Sequence, residues 1–139
     1  MNRAKAESYI ALAEEDLLVA KKLMTGHPRH SAFNIEQAAE KLLKAVLTVE
    51  NIAFSTQHHQ LGMLAELLPS DHVWRADLMA FDTFTPYATK VRYPTPGGDM
   101  PSDPVEDELE SGWKDVSLLV GEIRDWCDEQ FDRQAKKRR

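Results

Sequence analysis

An arginine opening a long punctuated loop, with two lysines one helical turn apart elsewhere in the chain, is a combination that can hold a phosphate. The arginine is Arg92, in KVRYPTPGGDMPSDP (residues 90 to 104). Lys41 and Lys44 share a polar helical stripe with Gln37 and Thr48, on which Glu40 can pair with Lys44 at i,i+4. Taken alone, that stripe is an ordinary solvated face. If Arg92 and Tyr93 fold back beside it, a guanidinium, two ammonium groups and an aromatic face suit a phosphate plus a base. The competing role for Arg92 is structural, since an arginine near a helix C-terminus meets the negative end of the dipole and can pair with Glu36 or Glu40.

Other chemistries find less support in the residues. His58 and His59 are adjacent, so on a helix they point about 100° apart and cannot chelate one ion as an i,i+4 pair would. His27 and His30 flank Pro28 in a turn with no third ligand near in sequence, so no metal site is expected. No P-loop, G-x-G-x-x-G or G-x-S-x-G occurs, which removes the usual nucleotide-hydrolase, dinucleotide and esterase signatures and leaves no cofactor implied. Cys127 lies on an apolar helical stripe, where a small hydrophobe is expected rather than a nucleophile. The acids from Asp99 to Glu110 do not have EF-hand spacing and suit a solvated helix start, where they stabilise the positive dipole end.

The whole chain narrows the field further. Its 139 residues, 42% of them hydrophobic, suffice for one domain with one core. A net charge of −6 opposes a generic nucleic-acid coat. A single cysteine permits no internal disulfide and suits a reducing cytoplasm. The charged N-terminus lacks a signal-peptide apolar run, and the longest uncharged stretch, Asn51 to Ala65, is too polar to span a membrane. The closing bases Arg133, Lys136, Lys137, Arg138 and Arg139 read as a frayed, solubilising tail over residues 133 to 139, behind a single domain of residues 1 to 132.

The elements that must carry Arg92 and the lysines are helices. Ile10, Ala13, Leu17, Ala20 and Met24 advance by three and four, with Leu12, Val19 and Leu23 widening the stripe, until Gly26 and Pro28 end it. A second helix, expected to be the most buried, steps through Ile35, Ala39, Leu42, Val46 and Val49, with Ser31 placed to cap its first turn. A short helix follows from about His59 to Leu68, then one capped by Ser70 or Asp71 and carrying Trp74, Leu78 and Phe81. Thr85 as cap with Pro86 at the first position predicts a restart that bears Tyr87 and ends near Arg92. Asp103, Pro104 and Glu106 predict the start of the last helix, whose stripe is Leu109, Trp113, Val116, Val120, Ile123, Cys127 and Phe131. Nothing alternates with period two, so the fold class is all-α, an up-and-down antiparallel bundle with the third and fourth helices as a crossing layer.

AFNIEQAAEKLLKAVL (32 to 47), HHQLGMLAELLP (58 to 69) and YATKVRYP (87 to 94) occur in the order and spacing of HEPN domains, and the chain resembles that family from its first helix to its last. The resemblance implies a four- to five-helix up-and-down bundle that commonly dimerises. Many members are metal-independent ribonucleases or toxins in which an arginine is followed, after roughly four to six residues, by a histidine. Here that window holds Gly97, Gly98 and Asp99, and none of the five histidines stands at such an offset from an arginine. Without an imidazole titrating near neutrality the general acid/base is missing. The resemblance then implies the non-nuclease branch, whose members bind nucleotides or partner a small separate nucleotidyltransferase in a two-component, toxin-antitoxin-like system. Arg92, Tyr93, Lys41 and Lys44 would form the ligand site, with Gln37, Tyr87 and His59 in support. The alternatives are a ribonuclease with Asp99 or Tyr93 in place of the histidine, and a purely structural dimer.

Overall fold

The computed structural model describes residues 2 to 138 except 56, 58 and 59. Six α-helices make it up: α1 (Asn2–Leu23), α2 (Pro28–Val49), α3 (Leu61–Ala65), α4 (Arg75–Met79), α5 (Tyr87–Lys90) and α6 (Glu106–Lys137), with a 3-10 turn at Ala80–Phe84. No strand occurs among the described residues. Long α1 and α2 form the main hairpin and α6 packs on both.

Small residues set how closely the hairpin packs. Ala6, Ile10, Ala13, Leu17 and Ala20 are the buried residues of α1, and Ala38, Ala39 and Ala45 are fully buried on α2, so apolar area is removed from water at short interhelical distance. Leu12 and Val19, expected to widen that stripe, are instead exposed: they lie beyond the edge of the face that α2 and α6 cover. The antiparallel sense of α6 against α1 is fixed at both ends. Arg3 reaches Asp128 and Asp132 at 3.5 and 3.4 Å, while the Trp113 indole donates to the Leu17 carbonyl at 2.8 Å. The stripe from Leu109 to Phe131 is buried, apart from the half-buried Trp113. α6 continues to Lys137, so Arg133, Lys136 and Lys137 belong to its last turns rather than to a frayed tail.

Several local expectations give way to long-range ones. Ser31 lies inside α2, which begins at Pro28, and its hydroxyl donates to the Ala20 carbonyl at 2.6 Å, tying the two long helices together. Asp103 does not cap α6, which begins at Glu106 after an extended Val105; its carboxylate binds Arg29 at 3.0 Å. Thr85 does not cap α5. Its hydroxyl accepts the Leu61 N–H at 3.1 Å while Asp82 accepts the Gly62 N–H at 2.8 Å, so the 3-10 turn supplies the missing caps of α3 from across the fold. That contact requires glycine at 62, since a Cβ there would stand 2.9 Å from the Asp82 carboxylate.

Candidate functional site

Arg92 is placed by the turn that ends α5. Its N–H and that of Tyr93 both reach the Thr89 carbonyl, at 2.9 and 3.1 Å, carrying the turn past Lys90. The loop that follows is closed at its base. Arg29 donates to the Lys90 carbonyl at 3.4 Å and binds Asp103, and the Lys90 ammonium donates to Ser102 at 3.2 Å. At its tip, Thr95 and Asp99 exchange backbone and hydroxyl bonds around Gly98, whose φ of +87° suits glycine.

So held, the exposed Arg92 guanidinium lies over the Phe33 ring of α2, 5.8 Å from its centroid. One turn further along α2 stands Glu36, fully buried. One of its carboxylate oxygens accepts from Gln37 at 2.7 Å and the other has no hydrogen-bond partner among the described residues. Burial raises its pKa from 4.5 to about 7; the Gln37 bond opposes this, the neighbouring Glu40 reinforces it, and Arg92 and Lys44 oppose it. Arg92 therefore does fold back onto α2, and both it and Lys44 act on the same carboxyl.

The expected lysine pair is not left open. Lys44 is buried, binds Glu40 at 3.2 Å and lies 5.9 Å from the Phe54 ring. Lys41 binds Asp16 of α1 at 2.5 Å, on the flank of the hairpin. Of the stripe read as a solvated face, Lys44 and Thr48 are buried and Gln37 and Lys41 partly so, with Glu40 and the neighbouring Glu36 buried beside them. Tyr87 leaves the group altogether: it lines a cleft bordered by α6, its ring 6.1 Å from that of Phe84 in the 3-10 turn and 4.7 Å from the Lys90 ammonium. Tyr93 is 63% exposed, free to stack on a ligand beside Arg92. His59 lies outside the described residues.

Phe33 and the buried Glu36 are the parts that spacing alone did not single out as site residues, although they stand three apart and Glu36 lies four before Glu40, itself four before Lys44, which places them on that face. The arrangement can bind an anion at Arg92, most favourably when Glu36 is neutral. Glu36 itself has no surface from which to meet a bound phosphodiester. Cys127 is likewise inert, its thiol pushed up to about 12 by burial first, then by Asp128 and Glu7. No group of three metal-ligating side chains occurs among the described residues. Nor is any described helix long and apolar enough to cross a membrane.

A model of the HEPN domain family matches residues 6–129. A protein of Methanocaldococcus jannaschii named "Putative toxin MJ1304" is 28% identical over 138 residues, spanning 91% of this chain and 90% of that protein. Among solved structures, that of ST0689, an archaeal HEPN homologue, superposes with a TM-score of 0.61 at 21% identity over 88% of this chain and 98% of that one.

Proposed function

The chain belongs to the HEPN domain family, and on that premise we propose that it is a non-catalytic, dimeric member that binds a nucleotide or a small separate nucleotidyltransferase through Arg92 and Tyr93. The observation that carries this reading is the pairing of an accessible guanidinium, seated on Phe33, with a following window, Gly97 to Asp99, that holds no imidazole. Arg92 supplies the charge, Tyr93 and Phe33 the aromatic faces, and Glu36 tunes the field. Lys44 contributes through that shared carboxyl, and Lys41 acts only at a distance. The name of the M. jannaschii relative favours a role in a toxin-antitoxin-like pair.

Calorimetric titration with a panel of nucleoside mono-, di- and triphosphates tests the site, beside the purified nucleotidyltransferase encoded next to this chain where one exists. Binding of either kind that Arg92→Ala abolishes is the expected result. Heat in none of the titrations, or a partner affinity unchanged by Arg92→Ala, would remove Arg92 from the function. Incubation with structured RNA separates the ribonuclease alternative, which requires cleavage that disappears with Arg92→Ala.

A further inference from the structure

Away from Arg92, α6 borders a groove that the proposed function does not use. Two clefts of about 470 and 370 Å³ share Ala80, Phe81 and Asp115 and so run into one another along α6, against the 3-10 turn and α4. Together they extend from Asp107 to Glu122, about 22 Å at 1.5 Å per residue, the length of a four-turn helix.

The floor is apolar. Phe81, Phe84 and Leu119 turn an edge into it, and Leu118 stands on its lip with 66% of its surface exposed. Phe84 reaches this position only because residue 112 is glycine: a Cβ there would lie 2.3 Å from the ring.

The walls carry one sign of charge. Asp77, Asp107, Glu108, Asp115 and Glu122 line the two clefts, no lysine or arginine does, and Lys114 and Arg75 stand outside the lining. None of the five carboxylates makes an ion pair within the described residues. Several acids elsewhere are matched, Glu7 with Arg3, Asp16 with Lys41, Asp103 with Arg29 and Glu129 with Arg133; what sets the groove apart is that five carboxylates gather beside an apolar floor. An apolar trough with uncompensated negative walls repels nucleic acid and anionic lipid, and attracts a segment that is both basic and apolar. The chain's own basic end does not fit, because Asp132 to Arg138 offers no large apolar side chain to fill the trough.

From this we infer that the groove between α6 and the Asp77–Phe84 segment docks an amphipathic helix of a partner protein, its large apolar residues on Phe81, Phe84 and Leu118 and its lysines or arginines against the acidic walls.

Fluorescence anisotropy with a labelled sixteen-residue peptide carrying leucines at i, i+4, i+7 and i+11 and lysines on the flanks provides the test. A scrambled peptide of the same composition is the control. The helical peptide should bind more tightly than the scrambled one, and both Leu118→Asp and the pair Asp115→Lys/Glu122→Lys should weaken it at least about tenfold. The charge-matched pair Glu15→Lys/Glu66→Lys, away from the groove, should leave it unchanged. Circular dichroism and melting of each variant establish that Leu118, already exposed, is replaced without unfolding.

Equal binding of the scrambled peptide, or equal loss in the Glu15/Glu66 pair, would overturn the inference by reducing it to bulk charge. Full competition by spermine would replace the helix with a small polycation. Conversion of a dimer to a monomer by Leu118→Asp, with no peptide binding to the parent, would hand the groove to a second copy of the chain.

Discussion

Replacing Glu36 by glutamine removes a charge from the interior while keeping its shape, and the expected result is a protein whose stability depends less on pH. Lifting a carboxyl from 4.5 to about 7 costs about 1.4 kcal/mol for each tenfold change in proton affinity, or about 3 kcal/mol once the group is ionised in the fold. The sign follows from the direction of the shift. Below pH about 4 the group is protonated in folded and unfolded chains alike and contributes nothing. Between about 4.5 and 7 the unfolded chain sheds the proton that the folded one keeps, so the parent loses stability as pH rises, and above about 7 the loss levels off.

Urea unfolding followed by tryptophan fluorescence, at pH 5 and pH 8, measures this. Glu36→Gln should exceed the parent by about 1 kcal/mol or less at pH 5 and by about 3 kcal/mol at pH 8, with unchanged dependence on urea. The amide oxygen takes over the Gln37 bond, and the amide nitrogen occupies the position whose oxygen already lacks a partner, so the unpartnered site is common to both proteins and largely cancels in the comparison. An offset between parent and variant that is the same at both pH values would refute the reasoning, because it would mean that Glu36 is not held protonated by the fold.

Gly112→Ala drives a methyl into Phe84 and should destabilise the fold by about 2 kcal/mol or more, read from the urea midpoint. Asp82→Ala removes the acceptor of the Gly62 N–H and of the Thr85 hydroxyl; a loss of about 1 to 2 kcal/mol is expected, with faster amide exchange at Leu61 and Gly62. Cys127 should resist iodoacetamide in the native protein at pH 8 and react once urea unfolds it, which mass spectrometry reports directly.

The apolar periodicity carried most of the architecture because each long helix buries one continuous stripe. Ile10, Leu17, Leu42, Val46, Val116 and Ile123 are all in the core where a 3.6-residue repeat puts them. The same rule misplaced Leu12 and Val19, since the width of a stripe depends on how much of the helix its neighbours cover. Caps failed for a related reason. A capping residue is recognised from its position just before a helix, yet the N–H groups of Leu61 and Gly62 find Thr85 and Asp82, 24 and 20 residues away, as hydrogen-bond partners across the crossing layer.

The candidate site shows the limit most clearly. Gln37, Glu40, Lys41 and Lys44 have the composition of a wet face, and a pattern of polar residues cannot reveal that residues 50 to 105 will return across it. Once they do, Phe54 lies against Lys44, Arg92 lies against Phe33, and Glu36 loses its water. Burial then changes the chemistry of each group: Lys44 is matched by Glu40, Lys41 by Asp16, and Glu36 exchanges its proton near neutrality. What stays accessible is the guanidinium at the edge of this buried set. Its net field depends on whether Glu36 is charged, so an anion bound at Arg92 and the proton on Glu36 must favour one another: binding of either strengthens the other.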